Sequence, residues 1–144
     1  MFEKENIYLD IEAKDHTELF TKMAEIFKKK GYVKESYLDA IIEREKKYPT
    51  GFEFDGYNIA LPHTDAEHVL VQKTVIVRLK KEIKYKEVVS NKEIPVKLFI
   101  MLLVKNGNEQ TEILEKLIAI ISEKKFYDEV IKAKDVNDLK NIYN

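Results

Sequence analysis

The sequence contains no cysteine, and that one absence removes disulfides, thiolate metal sites and thiol nucleophiles together. It is compatible with a reducing cytoplasm. The amino terminus, Met1-Phe2-Glu3-Lys4-Glu5, lacks the basic start and long apolar stretch of a secretory signal. The most apolar segment, Ile94 to Val104, is broken by Pro95 and Lys97 and falls short of the roughly 20 apolar residues a bilayer span needs. Charge of one sign is lacking too. The 25 basic and 26 acidic residues nearly cancel, so nothing attracts the whole molecule to nucleic acid or to an anionic membrane surface. No internal repeat, low-complexity tract or inter-domain linker interrupts the chain. These absences describe a soluble cytoplasmic protein, and 144 residues suit one domain, 1–144, with a real core.

What is present alternates between strand and helix patterns. Asn6 to Ile11 alternates Ile7, Leu9 and Ile11 against Tyr8 and Asp10, as a strand does. Asp15 with Glu18 three residues on resembles a capping pair, and Leu19, Phe20, Met23, Ala24 and Phe27 form the stripe of a first helix. Its basic end, Lys28-Lys29-Lys30 before Gly31, suits a helix C-terminus and requires no nucleic acid. Val33, Tyr37, Leu38, Ile41 and Ile42 predict a second helix from about Lys34 to Lys47. Tyr48-Pro49-Thr50-Gly51 reads as a turn, and Phe52 to Tyr57, around Asp55-Gly56, as a loop or tight hairpin. Thr74 to Leu79 is a strand by its β-branched content. Lys80 to Lys86 is expected to be exposed, and Val88-Val89 to form a short edge strand. Lys97 to Val104 is apolar enough to be covered on both faces. A helix bearing Ile113, Leu114, Leu117, Ile118 and Ile121 follows the Asn106-Gly107-Asn108 turn, with shorter helices at about Lys125–Lys132 and Asp135–Tyr143.

The chemistry concentrates in Asn58 to His68. Ile59, Ala60 and Leu61 can pair into a sheet. Pro62 cannot donate to a ladder and restricts the residue before it, so extended structure should stop there and leave His63 at a strand exit. Of the three histidines, His16 lies in the first turn of the first helix and reads as surface structure. A zinc site built from His63, His68 and Asp65 or Glu67 fits poorly, because four residues separate the histidines and the helical zinc motif spaces them differently. Ser36, Ser90 and Ser122 lack a glycine-flanked elbow, and no P-loop or dinucleotide fingerprint appears.

Histidine itself remains as a nucleophile. An imidazole with an ordinary pKa near ~6.5 keeps a free lone pair at pH 7, and attack on phosphorus gives a phosphohistidine. Such a site needs positive charge or amides for the phosphoryl oxygens and a group that holds the imidazole tautomer. Arg44, on the flank of the second helix's buried stripe, can supply the charge, although from the residues alone the ordinary reading is a surface arginine paired with Glu45 or another acid. His68 or a nearby acid is the expected tautomer holder. The strand–turn–helix around Asn106-Gly107-Asn108 reads as a plain connection, although helix-terminal amides there can meet an anion.

Arg44-Glu45, Tyr48-Pro49-Thr50-Gly51 and Ile59-Ala60-Leu61-Pro62-His63-Thr64 together resemble the signature of the fructose/mannitol-class enzyme IIA of the bacterial phosphoenolpyruvate-dependent sugar phosphotransferase system. The order of elements agrees across nearly the whole chain. The resemblance implies an α/β (α+β) fold, a single mixed β-sheet flanked by helices. It also implies that His63 accepts a phosphoryl group from the phosphohistidine of HPr, with Arg44 as a site residue. His63 then donates to a cysteine of a sugar-specific enzyme IIB, so that contact with a membrane enzyme IIC comes only through IIB. It implies no metal, nucleotide or organic cofactor, and phosphorylation at Nε2.

Mannitol-type members carry a second active-site histidine where this chain reads Asn106-Gly107-Asn108-Glu109-Gln110. Gln110 is its nearest counterpart. The Pro-His-Thr-Asp-Ala-Glu-His-Val run, with His68, looks instead like the galactitol-type branch. The rival expectation is a regulatory module like those of the nitrogen-related branch or of transcriptional regulators, in which phosphorylation of the same histidine changes a binding surface.

Overall fold

The computed structural model describes residues 1–143. Strand β1 (Ile7–Ile11) leads into helix α1 (His16–Lys29) through Asp15, whose carboxylate accepts the Glu18 backbone N–H as an N-cap. Helix α2 (Tyr37–Lys47) begins three residues later than its pattern predicts, because Lys34 to Ser36 form a turn closed by Tyr37 N–H to the Lys34 carbonyl. Strands β2 (Gly51–Phe54) and β3 (Tyr57–Ala60) make the tight hairpin, turning at Asp55-Gly56 with Gly56 at φ 85°.

Two long strands carry the sheet, β4 (Lys73–Lys86) and β5 (Glu93–Leu103). The expected exposed segment at Lys80 to Lys86 is in fact the second half of β4. Ile83 and Tyr85 point inward and are buried, while Lys84 and Lys86 face solvent, so a period of two was hidden among lysines. Val88-Val89 is not an edge strand. It lies in the turn between β4 and β5, where the Glu87 carboxylate accepts N–H bonds from Val89 and Ser90 and leaves Val89 85% exposed. Helices α3 (Gly107–Ile121), α4 (Lys124–Lys132) and α5 (Lys140–Tyr143) complete the chain, with a 3-10 turn over Val136–Leu139.

The sheet order is β1-β4-β5-β3-β2. β1 runs parallel to β4 and β3 parallel to β5, while β4–β5 and β2–β3 are antiparallel. This is the mixed sheet flanked by helices that the sequence leads one to expect. Alternate residues of β5 serve two cores, as a strand covered on both faces must. Phe99, Met101 and Leu103 pack with Phe20, Met23, Phe27 and Ile41 of α1 and α2. Leu98, Ile100 and Leu102 pack with Leu117, Ile121, Phe126 and Val130 of α3 and α4.

Gly51 explains its own place in the Tyr-Pro-Thr-Gly turn. A Cβ there would stand 2.5 Å from the Lys86 carbonyl oxygen, and the Gly51 carbonyl accepts the Val88 N–H at 2.8 Å. Main chain meets main chain, so the neighbour cannot swing away. Gly51→Ala should cost about 1–3 kcal/mol of stability, the range for forced overpacking, measured as a lowered urea midpoint with an unchanged slope.

Candidate functional site

β3 ends at Ala60, but the chain stays against the sheet for three more residues. Leu61 N–H donates to the Thr50 carbonyl at 3.0 Å, the Pro62 carbonyl accepts the Leu102 N–H at 3.0 Å, and His63 bridges to Leu102 in parallel sense. His63 therefore sits at the carboxyl end of β3, where mixed sheets commonly present their ligands. It is only 8% exposed.

The ring is oriented by its own main chain. His63 Nδ1 lies 2.7 Å from the Leu61 carbonyl oxygen. A carbonyl only accepts, so Nδ1 carries the proton and Nε2 keeps its lone pair. The expected holder, His68 or an acid, is thus replaced by a backbone oxygen two residues away, a contact invisible in side-chain spacing. Burial holds the His63 pKa below its ordinary value; the Leu61 bond opposes this, Arg44 adds to it and Asp65 opposes it. The imidazole is neutral at pH 7.

Arg44 leaves the end of α2 toward the same segment. Its Nη1 is 3.4 Å from Asp65 Oδ1, and its guanidinium lies 5.2 Å from the centre of the Tyr48 ring. The partner is Asp65, not the adjacent Glu45. Both members of this pair are substantially exposed, with the Arg44 side chain at 36%, so it is weak and the guanidinium can be recruited by another anion at little cost.

Glu45 turns the other way, into the protein, and is 4% exposed. Its Oε1 accepts from Thr50 N at 3.1 Å, Thr50 Oγ1 at 2.6 Å and Tyr85 Oη at 2.5 Å, and its Oε2 accepts the His63 backbone N–H at 3.4 Å. Burial pushes its carboxyl up to about 7 against the pull of those donors. Sequence reasoning gave Glu45 no site role. The available signal was its position, since a residue one step from Arg44 and four from Ile41 falls on the stripe that faces the sheet.

His68 ends a 3-10 turn, Ala66–His68. Its Nδ1 lies 2.8 Å from Ser36 Oγ and its Nε2 3.6 Å from a Glu67 oxygen, so the ring ties the loop after His63 to the start of α2. Gln110 is half-buried in the first turn of α3. Among the described residues neither side chain hydrogen-bonds to His63, and no three His, Asp or Glu side chains gather closely enough to hold a metal ion. No described helix is long and apolar enough to cross a membrane.

The model of the family described as "Phosphoenolpyruvate-dependent sugar phosphotransferase system, EIIA 2" matches residues 1–144. The chain belongs to this family. It is accordingly a phosphotransferase component, an EIIA-type phosphocarrier. EIIA relatives of two sugar names resemble it. The mannitol-specific phosphotransferase enzyme IIA component of Geobacillus stearothermophilus is 31% identical over 147 residues, covering 100% of this chain and 95% of the relative. The galactitol-specific EIIA component of Escherichia coli K12 is 28% identical over 103 residues, covering 72% and 69%. In the solved complex of enzyme IIAMTL with phosphorylated enzyme IIBMTL from Escherichia coli, the matching chain shares the EIIA fold at a TM-score of 0.76. It is 23% identical, with 96% of this chain and 94% of that one covered.

Proposed function

We propose that His63 is the phosphoacceptor of this EIIA protein, that phospho-HPr is its donor, and that a sugar-specific enzyme IIB cysteine is its acceptor. The supporting observation is the 2.7 Å contact from Nδ1 to the Leu61 carbonyl, which leaves Nε2 as the nucleophile. Nε2 attacks the phosphorus of the donor phosphohistidine. A new P–N bond forms as the donor's P–N bond breaks, and the electron pair returns to the donor nitrogen. The His63 ring becomes a phosphorylated imidazolium, and its Nδ1–H, still directed at the Leu61 oxygen, helps carry the positive charge. A thiolate of enzyme IIB then takes the phosphoryl group and restores neutral His63. Arg44 moves from Asp65 onto the phosphoryl oxygens during both transfers, because phosphoryl transfer depends on positioning and charge stabilisation.

The acceptor assignment draws on the Escherichia coli relative, whose solved form is a complex with phosphorylated enzyme IIBMTL. For the sugar, we favour a galactitol-type enzyme IIB. The second histidine of the Pro-His-Thr-Asp-Ala-Glu-His run is present, and none occurs between Asn106 and Gln110. His68 acts here as a brace for the loop, and Gln110 as a polar neighbour at the α3 entrance.

The test is reconstitution. With enzyme I, HPr and phosphoenolpyruvate, the protein should take up one acid-labile, base-stable phosphate and deliver it to a galactitol-type enzyme IIB faster than to a mannitol-type one. Preference for the mannitol-type partner would reverse the sugar assignment. Retention of phosphate against every enzyme IIB would favour a regulatory role. Arg44→Ala should slow single-turnover labelling about 10²–10³-fold, as loss of one charge-stabilising donor does. Its stability should change by less than about 1 kcal/mol, because the pair it breaks is exposed. Unchanged labelling rates would return Arg44 to the helix surface.

A further inference from the structure

Glu45 holds both ends of the tripeptide that presents the nucleophile. At one end, its Oε1 takes the N–H and hydroxyl of Thr50, whose carbonyl in turn accepts Leu61 N–H. At the other, its Oε2 takes the His63 N–H. Between these anchors the Leu61 carbonyl and the His63 ring make the contact that fixes the tautomer. That contact spans two residues and survives only while the Leu61-Pro62-His63 main chain keeps its bend.

The four groups around the carboxyl are suited to its anion. Two are main-chain amides, which can only donate, and two are hydroxyls. A proton on Oε2 would weaken its acceptance of the His63 N–H. A proton on Oε1 would require the Thr50 or Tyr85 hydroxyl to reverse. We propose that ionised Glu45 is a positioning residue for phosphoryl transfer, and that its protonation loosens the His63 main chain and slows the reaction. This inference rests on His63 being the phosphoacceptor.

The neighbouring groups leave Glu45 as the member that titrates within the buried cluster. Tyr37 of α2 and Tyr85 of β4 are both pushed up by burial first and the Glu45 charge second, so the phenols stay protonated. The carboxyl also forms part of a cleft lined by His16 of α1, Lys46 of α2, Lys84 and Lys86 of β4, and Glu93 of β5, which gives protons a route in. Arg44 and His63 complete the charged or titratable surroundings. Burial raises Glu45 to about 7 and holds His63 below its ordinary value. On acidification, therefore, Glu45 takes its proton before the nucleophile does.

The experiment measures single-turnover labelling by phospho-HPr from pH 5.5 to 8.5 for the parent and for Glu45→Gln. The ratio of the two rates cancels the titration of the donor and of His63. Glutamine mimics the protonated acid, so the variant should be slower by about 10–100-fold at pH 8, in line with the cost of a misplaced reacting group, and should approach the parent near pH 5.5. A ratio independent of pH, whether near one or uniformly low, would overturn the proposal and leave Glu45 a packing residue. His16→Asn should keep the parent profile; loss of the acid limb in that variant would assign the titration to His16 instead.

Should Glu45→Gln fail to fold, carboxyl and amide NMR of the parent decides. The Glu45 carboxyl and the His63 amide should titrate together, and a His63 amide indifferent to that titration would overturn the proposal. Failure of the phosphoacceptor assignment looks different, because the parent would then carry no label on His63 at any pH.

Discussion

A protein carrying His63→Gln should fold as the parent does and take up no phosphoryl group. The His63 ring is buried at 8% exposure, and among the described residues its polar contact is the bond to the Leu61 carbonyl. A glutamine amide can donate to that same oxygen, so stability should change by no more than about 1 kcal/mol, the worth of one neutral hydrogen bond. Nucleophilicity is not replaced, because an amide nitrogen has no free lone pair. Labelling by phospho-HPr should fall at least ~10³-fold, as removal of a covalent nucleophile does elsewhere. The check pairs a urea titration with phosphate detection by mass. Phosphate persisting on the variant would move the acceptor to His16 or His68, and peptide mapping would say which.

The largest stability effect is expected far from that chemistry, at Arg78→Met. Arg78 stands on β4 with its side chain 5% exposed. Nη1 donates to the Val130 carbonyl at 2.8 Å and the Ala133 carbonyl at 2.6 Å, with Ile131 at 3.4 Å. Nη2 donates to Asp10 Oδ1 at 3.0 Å. The arginine thus caps the carboxyl end of α4, where a cation also meets the negative end of the helix dipole. It further braces Asp10, a non-glycine residue at φ 58°.

Methionine fills the space but supplies no donor, so buried carbonyls lose their partners at about 1–3 kcal/mol each. We expect a loss of about 3–5 kcal/mol and a melting temperature roughly 10–15 °C lower for a chain of this size. Arg78→Lys should recover only part of it, because an ammonium cannot match the planar spread of acceptors. Thermal unfolding of the three proteins checks this, and equal stabilities would show that water can replace the guanidinium.

Sequence patterning carried far where a rule is local. Asp15 and its cap, the Asp55-Gly56 hairpin and the two-faced β5 all follow from neighbours within a few residues, whereas pairing with Leu102 carries past Pro62. Arg44 was placed on a helix flank by periodicity, and its guanidinium does leave that flank toward the His63 loop. Illegible features depend on main-chain atoms. The Leu61 carbonyl that orients His63, the Lys86 carbonyl that requires glycine at position 51, and the Arg78 cap on α4 are backbone contacts, and side-chain spacing does not encode them. Ile83 and Tyr85 were hidden because the intervening lysines dominate the composition of that stretch. Glu45 figured only as a possible partner for Arg44, because the Thr50 and Tyr85 donors that meet its carboxylate lie outside its helix. His68 drew attention by its spacing, yet its ring is taken up by Ser36 and Glu67.

The pairing of His63 with Leu102 and of Glu45 with Tyr85 has a consequence for the order of assembly. The β4–β5 ladder closes outward from Lys86 opposite Glu93, so it can form from neighbouring sequence, whereas Glu45 meets Tyr85 across 40 positions. Contacts of that reach pay their loop-closure entropy before anything rewards it. His63 also leaves the ribosome well ahead of the strand that completes its setting. Synthesis from His63 to Leu102 takes roughly 2–8 s at ordinary elongation rates. Until Leu102 emerges, an unfinished chain carries the Leu-Pro-His triplet without the strand residue that His63 bridges, so the proposed transfer through His63 would wait for the finished sheet.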